Sequence, residues 1–89
     1  MEKQIFNIRV KELRKEANLT QTALAEAIGA KRHIIDDAER GRGYTNPEYT
    51  LRLADYFKVS LDYLYGRTDN RKGIYFYSGE EAISLEQAM

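Results

Sequence analysis

The side chains able to do chemistry in this chain are few, and the informative ones lie close together. From Thr20 to Gly41 the sequence reads Thr-Gln-Thr-Ala-Leu-Ala-Glu-Ala-Ile-Gly-Ala-Lys-Arg-His-Ile-Ile-Asp-Asp-Ala-Glu-Arg-Gly. Within it the cations Lys31 and Arg32, the single histidine His33 and the acids Asp36 and Asp37 fall close together. Such groups donate and accept directional hydrogen bonds and form ion pairs. Other chemistries find little support. There is no cysteine, which excludes disulfide staples and thiol catalysis. One histidine and no cysteine leave no zinc set. No nucleophile–base pairing and no glycine-rich phosphate loop is present, so the expectation is no enzyme, no cofactor and no metal.

The same segment carries the signals of the elements that must hold those groups. Two short helices joined by a tight turn need a small residue where they touch, supplied by Ala25. They need a residue tolerant of positive φ at the turn, supplied by Gly29. They need an apolar anchor under the second helix, supplied by Ile35. These lie four and then six residues apart. A helix pair of this kind presents its second helix to the major groove of DNA.

Helical periodicity extends the pattern in both directions. Phe6, Val10, Leu13 and Ala17 form one apolar stripe over Ile5 to Ala17, and Asn18 is a plausible left-handed terminator. Thr20 can cap the second helix, which carries Leu24, Ala25 and Ile28 and stops at Gly29. The third runs from Arg32 to Glu39, with Ile35 and Ala38 inward. Asn46-Pro47-Glu48 is a strong start signal for a fourth helix to Phe57, offering Leu51, Leu53, Ala54 and Phe57 to the core. Ser60 can cap a fifth, Leu61 to Tyr65, closed by Gly66. Tyr49, Tyr56 and Tyr63 read as packing residues.

Eighty-nine residues with 43% apolar and 31% charged content suit one small globular unit. The start is not a signal peptide, and no apolar run approaches membrane-spanning length, so a cytoplasmic protein is expected. Net charge is zero, fourteen basic against fourteen acidic residues. Taken alone that argues mildly against a nucleic-acid partner. However, Glu80, Glu81 and Glu86 all lie in the last eleven residues, so residues 1–78 carry fourteen basic and eleven acidic groups, a balance of +3.

The chain resembles the Cro/CI-type (XRE, lambda-repressor-like) helix-turn-helix family. The resemblance rests on five pieces in order: Leu19-Thr20-Gln21, Leu24-Ala25-x-x-Ile28-Gly29, Glu39-Arg40-Gly41, Asn46-Pro47, and Val59-Ser60-Leu61-Asp62-Tyr63-Leu64-x-Gly66. It implies an all-α, five-helix DNA-binding domain over residues 1–67, with the helix-turn-helix proper at 20–41. Residues 68–89 would form a short strand/helix extension. It implies that Gln21 holds a DNA phosphate and braces the third helix. It places Lys31, Arg32, His33 and Asp37 where related repressors read base edges. Arg32 would fork onto guanine and Asp37 accept from cytosine, the bland alternative for Asp37 being an ion pair with Arg40 or Arg32. Arg42, Tyr44, Thr45 and Asn46 resemble a second phosphate clamp, and Arg14 with Glu39 the family's internal ion pair. Two features depart from the family pattern. Lys31 stands where a Ser or Thr usually caps the third helix, and Asp36-Asp37 puts two acids on the reading helix.

The extension opens with the polar run Thr68 to Gly73, followed by the strand-favouring Ile74, Tyr75, Phe76 and Tyr77. A lone strand needs a partner. Pairing with a second copy would give a twofold dimer, and folding against its own domain is the alternative. Ser78 to Glu81 fits a capping box opening a short helix. The functional expectation is a bacterial or phage-encoded transcriptional regulator, a repressor, binding twofold operator DNA as a homodimer. The alternative is a protein-binding module of the same fold, antitoxin-like or partnering a phage regulator, with weak or no DNA affinity.

Overall fold

In the computed structural model, the end signals in the sequence set the helices. Residues 2–41, 46–73, 75–77 and 82–84 are described, with side chains over 5–41 and 46–73. Five helices run in order: α1 (Glu2–Glu16), α2 (Gln21–Ile28), α3 (Arg32–Glu39), α4 (Pro47–Phe57) and α5 (Leu61–Leu64). Two short strands follow, β1 (Tyr75–Tyr77) and β2 (Ala82–Ser84).

Three helices start on side-chain caps. The Thr20 hydroxyl accepts from Ala23 N at 3.0 Å, Asn46 Oδ1 from Tyr49 N at 3.1 Å, and Ser60 Oγ from Tyr63 N at 2.9 Å. Each satisfies one amide that the helix itself leaves orphaned. α3 differs, because Lys31 sits at its cap with extended backbone and makes no capping bond. α1, α2 and α4 end on left-handed residues, Asn18 (φ 58), Gly29 (φ 72) and Lys58 (φ 58). After α1, Leu19 N bonds Arg14 O at 3.1 Å and Asn18 N bonds Lys15 O at 3.0 Å, which is the Schellman closure.

The helices share one core of Phe6, Val10, Leu13, Leu24, Ala25, Ile28, Ile35, Ala38, Leu53, Ala54, Val59, Tyr63 and Leu64. α2 packs on α3 and α4, α1 on α3 and α5, and α4 on α5. Three expected core residues are outside it, Phe57 being partly buried against it and Ala17 and Leu51 exposed. Ala17 is exposed because it falls beyond the last turn of α1. Leu51 is 50% exposed, since the inward stripe of α4 runs through Thr50, Leu53, Ala54 and Phe57. Thr50 is fully buried in its place, and its hydroxyl donates to Asn46 O at 3.2 Å, so this hydroxyl does not enter the core bare.

Residues 68–73 lie against the helices. Arg9 donates to Tyr63 O, to Thr68 O at 2.7 Å and to Asp69 Oδ1 at 2.6 Å. Arg71 pairs with Glu16 at 2.6 and 3.1 Å, and Ser60 N donates to Arg71 O at 2.6 Å. Both guanidiniums lie over the Tyr63 ring, Arg9 at 4.1 Å and Arg71 at 5.6 Å from its centroid. Gly73 closes this strap with φ 82, and a Cβ there would come within 2.7 Å of Ser60, so the close approach needs glycine.

The short helix expected beyond Ser78 gives way to a strand at 82–84. β2 pairs antiparallel with β1, Tyr75 opposite Ser84, Phe76 opposite Ile83 and Tyr77 opposite Ala82. Pairing satisfies main-chain groups of both segments, whereas a helix this short is marginal without tertiary support. The capping-box residues 78–81, and Ile74 of the expected dimer strand, lie outside the described residues. Among the described residues no helix is long and apolar enough to cross a membrane.

The bare start of α3 carries a stability prediction. Lys31→Ser supplies the missing cap and should stabilise the fold by about 1 kcal/mol, read as a higher melting temperature by circular dichroism. A lower melting temperature would show that Lys31 holds the helix start in another way.

Candidate nucleic-acid interface

The α2–α3 turn is built by the three residues whose spacing suggested it. Ala25 is buried where the helices meet and Ile35 is fully buried beneath α3. Gly29 turns the chain in the left-handed region, with Ala30 N bonded to Ala25 O at 2.8 Å. A Cβ on Gly29 would also sit 3.2 Å from Arg52 Nη1. That guanidinium donates to Ile28 O at 3.1 Å, so α4 satisfies a carbonyl at the end of α2. Its role was not legible in advance, because a surface arginine on α4 gives no signal of what it reaches.

Behind α3 the side chains form one polar network. Arg14 donates from Nε to Glu39 Oε2 at 2.6 Å and from Nη2 to Glu39 Oε1 at 2.9 Å. A third bond runs from Arg14 Nη1 to Leu19 O at 2.9 Å. This is the internal ion pair expected from the family pattern, joining α1 to α3. Glu39 is 8% exposed, and Arg14 has a raised pKa, chiefly because of the hydrogen bond to Glu39. Asn7 adds a further tie from α1, donating to Glu39 O at 3.1 Å.

Gln21 lies in the same network. Its Nε2 donates to Glu39 Oε1 at 3.2 Å and to Asp36 Oδ1 at 3.4 Å, and its Oε1 accepts from Arg32 Nη1 at 3.0 Å. Asp36 also takes Arg40, Nε to Oδ1 at 3.0 Å and to Oδ2 at 2.9 Å, one helical turn on. The Arg40 hydrogen bond, then that from Gln21, holds the Asp36 carboxyl below its ordinary range against an opposing desolvation effect. The sequence suggested Asp37 as the candidate for pairing with Arg40. In the fold Asp36 makes that bridge, and a through-space attraction from Asp37 helps to raise Arg40.

The expected reading residues divide as follows. Lys31, Arg32 and His33 are all exposed at the start of α3, while Asp37 is half-buried. Asn46 is exposed and its side chain caps α4. Arg42, Tyr44 and Thr45 of the expected second clamp lie outside the described residues. Tyr75, Phe76 and Tyr77 form β1, paired to β2 of the same chain. Among the described residues no group of histidines or acids is placed to hold a metal ion.

A helix-turn-helix family profile matches residues 10–64. The chain is 35% identical over 82 residues to the HTH-type transcriptional activator BcrR of Enterococcus faecalis, a match covering 92% of this chain and 34% of that protein. It is 34% identical over 55 residues to the ImmF control region 10 kDa protein of Bacillus phage phi105, covering 62% of this chain and 61% of that one. The chain thus spans less than two thirds of either relative. Among solved structures it resembles the P22 c2 repressor in complex with a synthetic operator. The TM-score is 0.63 at 30% identity, over 66% of this chain and 89% of that one.

Two outcomes follow from the network. Glu39→Ala strands the largely enclosed Arg14 guanidinium and should destabilise the domain by about 3 kcal/mol, measured by urea denaturation. A loss below 1 kcal/mol would mean that Arg14 finds water. Asp36 and Glu16, the latter held by Arg71, both titrate below their ordinary values. Their stabilisation is therefore complete above about pH 5, beyond the unfolded values, and is lost as pH falls through the lower folded values. Melting temperature should hold down to about pH 5 and fall below it, with a shallower fall in Asp36→Asn. An equal fall in that variant would remove Asp36 from the acid response.

Proposed function

Because this chain belongs to the helix-turn-helix family of Cro/CI (XRE) type, a family of DNA-binding transcription regulators, we propose that it binds double-stranded operator DNA and regulates transcription, with α3 as its reading helix. The observation that carries the reading is the exposed run Lys31-Arg32-His33 at the start of a helix whose back is fastened to α1 through Arg14 and Glu39. Exposed cations on a rigid element suit base-edge and phosphate contacts. Arg32 is assigned to bases, with His33 and Asp37 flanking it. Lys31 is assigned to phosphate. Gln21 braces α3, and Arg42, Tyr44, Thr45 and Asn46 supply a second backbone contact.

The chain acts as a homodimer on a twofold site in the cytoplasm, and no enzymatic role is proposed. β1 already has a partner in β2, so pairing of Ile74 to Tyr77 with a second copy would use an outer edge of the hairpin. Repression is the proposed sign of regulation. It is favoured by the likeness to the P22 repressor across 89% of that chain, whereas the match to the activator covers 34% of its length. The alternative, a protein-binding module of the same fold, draws on the zero net charge and the acids Asp36 and Asp37 on α3.

Selection of bound duplexes from random DNA, followed by mobility shifts, tests the reading. Selected sequences should show two related half-sites about 34 Å apart or a multiple of that. Arg32→Ala should relax preference at one base position by roughly 1–3 kcal/mol, and Lys31→Ala should weaken all sequences alike and lower the salt slope by about one. A single asymmetric site would overturn the dimer. No duplex retained at low salt, with a protein captured instead, would favour the protein-binding alternative.

A further inference from the structure

The Gln21 amide can face only one way in this network. Its neighbours on one side are the Asp36 and Glu39 carboxylates, which only accept, and on the other the Arg32 guanidinium, which only donates. The amide nitrogen must turn to the acids and the amide oxygen to Arg32. Both contacts of the amide nitrogen are with acids, at 3.4 and 3.2 Å. What Gln21 presents outward is an acceptor, and that acceptor holds Arg32 Nη1 at 3.0 Å.

We propose that Asp36 is a positioning residue for DNA reading: with Glu39 it orients the Gln21 amide, whose oxygen holds Arg32 in place at the start of α3. Asp36 touches no base in this scheme. It acts through Gln21 on Arg32, and its bridge to Arg40 anchors it one turn further along the helix. Asp36, the first of the two adjacent acids on α3, becomes the counterpart that a reading arginine needs. Glu39 is occupied by Arg14 and sits deeper, so Asp36 is the member of the pair that can be changed without opening the α1–α3 joint. A guanidinium held in one place before contact loses less conformational freedom on forming a bidentate bond to guanine.

This inference rests on the DNA-reading proposal, and its test separates the two. In the free protein, rotation of the Arg32 guanidinium can be followed by nitrogen-15 side-chain NMR with no DNA present. It should be slowed in the native chain, fast in Gln21→Ala and Asp36→Ala, and slowed again in Asp36→Asn, which keeps an oxygen for Gln21 Nε2. Equal mobility in all four proteins overturns the proposal whether or not the chain binds DNA. With a selected duplex in hand, Asp36→Ala should reduce discrimination about three- to tenfold at the base pair that Arg32→Ala affects, and the losses should not add in the double variant. Unchanged discrimination in Asp36→Ala, or additive losses, would also overturn it. Thermal melts confirm that each variant is folded. Failure of the native chain to select any sequence would sink the DNA reading while leaving the NMR result to decide the positioning.

Discussion

The bidentate pair between Arg14 and Glu39 is the joint on which the placement of α3 depends. The two residues lie on α1 and α3, and their bonds cross a separation of 25 residues. Taking a carboxylate out of water costs several kcal/mol unless donors replace the lost hydration. Three donors do so here, two from Arg14 and one from Gln21. Glu39 closes α3, and Asn7 of α1 holds its carbonyl as well. The last turn of the helix is thus held to α1 through both side chain and backbone, while Ile35 and Ala38 fasten the rest of its inner face into the core.

A helix held from behind leaves its front free for recognition, and the electrostatics follow the same division. The acids of α3 turn toward partners within the chain, Asp36 to Arg40 and Gln21, Glu39 to Arg14. Lys31, Arg32 and His33 stand at the exposed N-terminal end. Zero net charge is therefore compatible with a surface locally suited to phosphates, because affinity depends on the charges that face them. The bare cap at Lys31 fits this division, since the position takes a cation where a hydroxyl would have steadied the helix.

A second polar joint works at the opposite end of the chain. Arg9 and Arg71 meet over Tyr63, and Arg71 continues to Glu16, tying residues 68–73 onto α1 and α5. Tyr63 thereby serves two purposes, burying its ring in the core and offering its face to cations. The strap fastens the chain to the helices as far as Gly73.

Much of the helical frame was determined by sequence alone. Thr20, Asn46 and Ser60 announce helix starts, and Asn18, Gly29 and Gly66 announce ends, because caps and left-handed residues act over three or four positions and need no distant partner. The turn was legible in the spacing of Ala25, Gly29 and Ile35, whereas the Arg14–Glu39 pair, 25 residues apart, was implied by the resemblance to the family and not by spacing. Only the tertiary structure decided the remainder. Which acid takes Arg40, which way the Gln21 amide faces, where Arg52 reaches, and that Arg9 and Arg71 converge on Tyr63 all depend on side chains brought together from separate helices. Residues 82–84 pair as a strand, and a capping box cannot foretell that, since pairing depends on a segment several residues away. The helix-turn-helix was visible in the spacing of small and apolar residues; the state in which it presents Arg32 was set by three-dimensional contacts among polar ones.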